Sequence, residues 1–192
     1  MQRGFPLAFP GMRVGLLGGT FDPAHQGHAH IARVARARLG LDKVWWMVTP
    51  QNPLKQRATP LTERLASARR AAHGRANVVT DFEARVGLSY SFDTICAVRR
   101  LYPGVRFVLL IGADNLKSFR RWRRWADILC AIPLAVVARP GTRPGALFAK
   151  PFTRFRSARV PARRLAAAAA PAWSFLPARY SFVSSTELRA GR

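Results

Sequence analysis

Residues 13–49 constrain the fold more than any other stretch. Arg13-Val-Gly-Leu-Leu-Gly18 is a short apolar run ending in glycine, which reads as a buried strand. A turn-rich segment follows, Gly19-Thr-Phe-Asp-Pro-Ala-His25. Residues 27–39 then carry Ile31, Val34, Ala35 and Leu39 at helical spacing, and Gly40 closes the helix. Lys43-Val-Trp-Trp-Met-Val-Thr49 is a second apolar run. Strand, helix and strand in this order make a βαβ unit, whose crossover is right-handed in nearly all proteins. Two parallel strands need a helix-covered sheet, so the unit commits the chain to an α/β fold.

The alternation continues. A helix is expected over 62–72 with Thr62 as its cap, a strand over 77–82, and a helix over 91–101. The run Phe-Val-Leu-Leu-Ile within 106–112 is the most buried-looking strand. Residues 114–130 read as mostly helical and aromatic-rich, and 134–138 as a further strand. From Arg139 onward the pattern changes: prolines recur, 166–170 is a run of five alanines, and no acidic residue occurs between Asp127 and Glu187. Residues 141–179 therefore read as a mobile, basic Pro/Ala-rich connection with one short helix near 161–169. Residues 182–192 restore order, with a helix starting near Ser185, where Ser/Thr followed by Glu is a capping signature. The expectation is a single domain over 1–192, with 1–12 as an N-terminal extension and Met12 as an alternative start.

Composition excludes several classes. With 192 residues and 49% hydrophobic content the chain can bury a substantial core. No apolar stretch is long enough for a membrane span, and 1–11 lacks the features of a signal peptide. Cys96 and Cys130 lie in apolar sequence without metal-ligand spacing, as expected for a reduced, cytoplasmic compartment. Charge is the outlying property: 32 basic residues against 9 acidic, net +23, with 28 arginines and 4 lysines. Such a field attracts phosphates of any kind. Genome composition produces the same bias, so the charge alone selects no ligand.

Chemistry concentrates in Gly18-Gly19-Thr20-Phe21-Asp22-Pro23-Ala24-His25-Gln26-Gly27-His28. Glycines at a strand's carboxyl end let a ligand approach the backbone, and a following helix N-terminus favours phosphate. His25 and His28 are three residues apart, so both can face one pocket. Two imidazoles at a helix start suit an anionic transition state that needs donors rather than a nucleophile. No third ligand has obvious spacing, so no protein-bound metal is expected. The G-x-G-x-x-G dinucleotide fingerprint is absent, which disfavours a dehydrogenase.

GGTFDPAHQGH, with its HxGH core, resembles the signature of the nucleotidyltransferase superfamily. Ser184-Ser-Thr-Glu-Leu-Arg189 resembles that superfamily's second signature, ISSTxxR, with Val183 in place of isoleucine. The segments 45–55, 81–83, 87–94 and Gly112-Ala-Asp114 with Phe119 and Trp122 are similar to bacterial nicotinate-nucleotide adenylyltransferases. The resemblance covers about 13–189. It implies a Rossmann-like three-layer α/β nucleotidyltransferase domain with a parallel sheet. It also implies transfer of the adenylyl group of ATP to nicotinate mononucleotide, with Mg²⁺ accompanying ATP.

The resemblance further implies site roles. His25 and His28 would be catalytic, meeting the ATP phosphates and the developing charge. Gly18, Gly19, Thr20, Phe21, Gly112, Asp114, Ser185, Thr186 and Arg189 would bind ATP. Lys55, Tyr90, Ser91 and Trp122 would bind the nicotinate nucleotide, with Trp122 stacking on its ring and Ser91 standing where the family has threonine. Asp81 and Glu83 are left without a role, and Arg120, Arg121, Arg123 and Arg124 read as a solvated helix face. The protein would act as a monomer or homodimer with ATP and nicotinate mononucleotide as partners, and with no specific nucleic acid and no membrane. Rival readings are a related transferase using nicotinamide mononucleotide or phosphopantetheine, and a basic nucleic-acid-binding protein.

Overall fold

The structure, a computed structural model, describes residues 4–50, 59–138 and 153–177. Among the described residues six strands form one sheet: β1 (Arg13–Gly19), β2 (Lys43–Val48), β3 (Asn77–Thr80), β4 (Arg106–Gly112), β5 (Leu134–Val137) and β6 (Trp173–Leu176). Their spatial order is β3-β2-β1-β4-β5-β6, and every neighbouring pair is parallel. The helices are α1 (Gln26–Leu39), α2 (Leu61–Ala71), α3 (Phe82–Arg85), α4 (Ser91–Leu101), α5 (Leu116–Phe119), α6 (Trp125–Ala131) and α7 (Ala162–Leu165).

Strand alternation divides the core into two layers. Val14, Leu16, Trp45, Met47, Leu109 and Ile111 pack with Phe82 of α3, Ile95 and Val98 of α4, and Ile128 and Leu129 of α6. The intervening residues Leu17, Val44, Trp46, Val48, Val108 and Leu110 pack with Ile31 and Ala35 of α1, Leu65 and Ala68 of α2, and Leu165 of α7. This is the expected three-layer α/β arrangement. Trp45 and Trp46 are adjacent and fully buried, one in each layer. Burial of each large apolar side chain is worth about 1.5–3 kcal/mol. Gly15 is required by packing: a Cβ there would lie 2.7 Å from Leu110 and 2.8 Å from Leu41. Gly40 ends α1 in the left-handed region (φ 61°), with its N–H donating to the Arg36 carbonyl.

Several expectations are corrected. The segment read as a mobile connection holds the short helix expected near 161–169, here α7, but also β6, and Leu165, Trp173 and Leu176 are buried, with the Trp173 indole donating to the Phe155 carbonyl at 2.7 Å. Four residues between alanines and prolines are too short to show strand periodicity, yet they complete the sheet edge. The long helix over 114–130 is broken: a 3₁₀ turn at Ala113–Asn115 and α5 are followed by a turn in which Arg124 is left-handed (φ 59°), and α6 starts after it. The strand over 77–82 stops at Thr80, whose hydroxyl accepts the Phe82 N–H and starts α3. Pro60 rather than Thr62 precedes α2. Cys96 and Cys130, although set in apolar sequence, are exposed and free. Residues 4–12 pack on the body: Phe5 lies 5.2 Å from Phe82, and the Tyr102 hydroxyl donates to the Pro6 carbonyl at 2.8 Å. No helix among the described residues is long and apolar enough to cross a membrane.

Candidate active site

The strand order fixes where a ligand can sit. From β1 the chain steps outward to β2 and β3, then returns across β1 to place β4 on its other side. Helices that follow β1 and β4 therefore leave on opposite faces and open a crevice beyond the carboxyl ends of these two strands, where open α/β sheets bind ligands. Gly18 and Gly19 end β1, and Gly112 ends β4 beside it, followed by an exposed Asp114 on a 3₁₀ turn. Among the described residues, no atom lies within 4 Å of a Cβ placed on Gly18.

The turn after β1 is held from below. Phe21 is left-handed (φ 49°) and its ring is 1% exposed, under Gly19 and against Trp46 at 5.3 Å. A left-handed non-glycine residue costs about 1–2 kcal/mol, and the buried ring offsets it. The ring is therefore a support, so any ligand contact by Phe21 falls to its backbone. It meets His28 edge-on at 4.9 Å.

His25 and His28 cap α1 reciprocally. The Gly27 N–H donates to His25 Nδ1 at 3.1 Å, and the His25 N–H donates to His28 Nδ1 at 3.2 Å. The ring centroids are 4.0 Å apart. Because both Nδ1 atoms accept, each neutral ring carries its proton on Nε2. The cap thus fixes the tautomer and presents two distal N–H donors at a helix N-terminus, where the partial positive charge favours anions.

Behind the turn lies Arg64, only 2% exposed. Its Nε donates to the Thr59 carbonyl (2.7 Å), Nη1 to the Thr20 (3.0 Å) and Thr49 (2.6 Å) carbonyls, and Nη2 to the Pro50 carbonyl (2.7 Å). One planar fork joins the segments after β1, after β2 and before α2. Ser67, three residues on along α2, accepts the Ala24 N–H at 2.9 Å, and the Asp22 carboxylate accepts the N–H and hydroxyl of Thr59.

The other side of the crevice is built from α4 and the turn before α6. Tyr90 precedes α4 without a side-chain cap bond of its own, and Ser91 begins the helix. Trp122 is half-buried, with its ring 5.2 Å from Phe119. Arg123 spans the two elements: its guanidinium lies 4.6 Å over the Tyr90 ring and 3.8 Å from the Asp93 carboxylate. Arg124 stacks on Phe92 at 3.8 Å and pairs with Asp127 at 2.7 Å. Both side chains stay exposed, as expected of a solvated face, while they make these contacts. Glu83, 6% exposed, accepts from the hydroxyls of Thr49 (2.5 Å) and Thr94 (2.8 Å). Burial raises its carboxyl above the ordinary 4.5, and the two hydroxyl bonds partly oppose the rise.

The structure thus gathers Gly18, Gly19, Thr20, Phe21, His25, His28, Gly112 and Asp114 at the β1/β4 crevice, and joins Tyr90 and Ser91 to the Trp122 turn. Lys55, Ser185, Thr186 and Arg189 lie outside the described residues. Sequence reasoning missed Arg64, Thr49 and Thr94, and left Glu83 unassigned. Among 28 arginines nothing marks Arg64; its only signal is the i, i+3 pairing with Ser67 on the face of α2 that meets the turn.

Comparison with known proteins agrees with this geometry. The model of the cytidylyltransferase-like family matches residues 16–191. The probable nicotinate-nucleotide adenylyltransferase of Roseobacter denitrificans is 48% identical over 194 residues, covering 99% of this chain and 98% of that protein. The protein of the same name from Caulobacter sp. (strain K31) is 50% identical over 183 residues, covering 93% and 97%. The chain belongs to the nicotinate-nucleotide adenylyltransferase family. Its fold is that of Plasmodium falciparum nicotinic acid mononucleotide adenylyltransferase complexed with NaAD, at TM-score 0.67 and 16% identity, covering 93% of this chain and 83% of that one. The absence of G-x-G-x-x-G fits this membership: the first turn is built around a histidine cap, not a glycine-lined dinucleotide loop.

Proposed function

We propose that this enzyme transfers the adenylyl group of ATP to nicotinate mononucleotide, giving nicotinate adenine dinucleotide and pyrophosphate, a step of NAD biosynthesis in the cytoplasm. A phosphate oxygen of the mononucleotide attacks the α-phosphorus, and the bond from that phosphorus to the oxygen bridging the β-phosphate breaks. The attacking group belongs to the substrate, so the protein needs no nucleophile. Its work is alignment and stabilisation of charge. ATP enters as its Mg²⁺ complex. The distal imidazole donors suit phosphate oxygens rather than a metal, so the ion belongs with the substrate.

The observation that carries this reading is the reciprocal cap of His25 and His28. With both Nδ1 atoms accepting, the proton of each neutral ring sits on Nε2, and our reading gives these two N–H groups to phosphate oxygens, where charge grows on the leaving pyrophosphate. Around it, Gly18, Gly19, Thr20 and the Phe21 backbone take the first phosphate and ribose contacts, and Gly112 and Asp114 the adenosine side. Ser185, Thr186 and Arg189 take the β- and γ-phosphates. Trp122 stacks on the pyridine ring, backbone N–H groups at Tyr90 and Ser91 receive its carboxylate, and Lys55 meets the acceptor phosphate. The test is pyrophosphate release by the purified chain with ATP, Mg²⁺ and nicotinate mononucleotide, with the dinucleotide identified by mass. Release that depends on nicotinate mononucleotide is expected. Release only with phosphopantetheine, or none with any acceptor alongside salt-dependent nucleic-acid binding, would overturn the assignment.

A further inference from the structure

A chain of hydrogen bonds joins the two sides of the crevice, and none of the roles above uses it. Thr49, the residue after β2, is its hub. Its N–H donates to the Gly19 carbonyl at 3.0 Å, its carbonyl accepts from Arg64 at 2.6 Å, and its hydroxyl donates to Glu83 Oε2 at 2.5 Å. The second oxygen of Glu83 accepts the Thr94 hydroxyl at 2.8 Å, and that hydroxyl also lies 3.2 Å from the Tyr90 carbonyl. The Thr94 N–H donates to the same Tyr90 carbonyl at 3.0 Å. The path therefore begins on the glycine turn and ends on the residue that precedes α4. Arg64, Glu83 and Thr94 are 2%, 6% and 4% exposed, so water cannot readily replace their bonds.

We propose that Glu83 and Thr94, acting through Thr49, are positioning residues that set the N-terminus of α4 against the phosphate turn, and so determine how well the enzyme holds its nucleotide acceptor. The proposal rests on the reading that Tyr90 and Ser91 receive the acceptor's carboxylate. The residue types follow from the task. Two hydroxyls on separate elements must each donate to one buried group, and a carboxylate offers an acceptor oxygen to both. An amide at the same place has one acceptor oxygen, and its NH₂ must donate to a hydroxyl that already needs somewhere to send its own proton. A residue needed only for packing would have no reason to join elements that contact different substrates.

The test is steady-state kinetics of Thr94→Val, which keeps the shape and removes the hydroxyl, with Thr94→Ser as rescue. KM for nicotinate mononucleotide should rise about fivefold or more in the valine variant, the weight of roughly one hydrogen bond. KM for ATP and the saturated kcat should stay within about twofold of wild type, and serine should restore most of the loss. Glu83→Gln should shift the acceptor KM in the same direction, and it supplies the readout if the valine variant does not fold. An acceptor KM within about twofold of wild type in a folded variant, or equal rises for both substrates, would overturn the proposal. Wild-type enzyme that uses another acceptor and ignores nicotinate mononucleotide would overturn the substrate reading, and this proposal with it. An active wild type with insensitive variants overturns the positioning role alone.

Discussion

Replacing Arg64 by methionine tests the framework behind the phosphate turn. The guanidinium is 2% exposed and donates to four carbonyl oxygens, of Thr20, Thr49, Pro50 and Thr59. Methionine fills much of the volume and satisfies none of them. A buried acceptor left without a donor costs about 1–3 kcal/mol. The four are close together and a water can enter the space vacated by the fork, so their costs do not add. A net loss of about 3–5 kcal/mol follows. For a chain of this size each kcal/mol lowers Tm by about 2–4 °C, so a fall of roughly 10 °C is expected. Arg64→Lys should recover less than half, because an ammonium cannot span the three segments that the planar fork joins. Calorimetric Tm and urea midpoints of the three proteins measure this. A methionine variant within about 1 kcal/mol of wild type would refute the clamp, since that is less than one orphaned carbonyl should cost.

Two further outcomes follow from the site. His25→Ser retains an N-cap acceptor but loses the distal donor, so turnover should fall on the order of 10²- to 10³-fold with Tm nearly unchanged. His28→Ala should show a similar fall in turnover plus about 1 kcal/mol from the lost cap bond; wild-type turnover in both variants would contradict the donor role. The Glu83 carboxyl is raised above 4.5 by burial, so the folded state binds its proton more tightly than the unfolded chain. Its contribution to stability is complete below about pH 4.5 and is lost as pH rises through the raised value. Glu83→Gln has no such titration. The Tm of the variant relative to wild type should therefore be higher at about pH 7 than at about pH 4. A difference that does not change with pH would refute the argument.

What could be read in the sequence, and what could not, has physical causes. Strands of a parallel sheet are buried on both faces, so 13–18, 43–49 and 106–112 stand out as continuous apolar runs. The glycine turn and the His25/His28 spacing are local, and local chemistry is visible in a string of residues. β6 was hidden because an edge strand of four residues, Trp173–Leu176, leaves no period to detect. The break at Arg124 was hidden because a left-handed arginine in an Arg-rich segment looks like its neighbours. Arg64, Glu83 and Thr94 draw their meaning from partners up to 44 residues away, as in the bond from Arg64 to Thr20. Such pairings exist only once α2, α3 and α4 pack beside the carboxyl ends of β1 and β2.

Acceptor choice is the property of this enzyme that its site chemistry bears on most closely. Tyr90, Ser91 and Trp122 would read the nicotinate carboxylate through N–H donors and its ring by stacking. A carboxylate accepts on both oxygens, whereas a carboxamide turns an NH₂ toward one of the donors. Each such mismatch in a desolvated site costs roughly 1–3 kcal/mol. The measurement is kcat/KM for nicotinate mononucleotide and for nicotinamide mononucleotide, with ATP saturating and pyrophosphate as readout. The account predicts a preference of at least about tenfold for the acid. Equal values for acid and amide would contradict it.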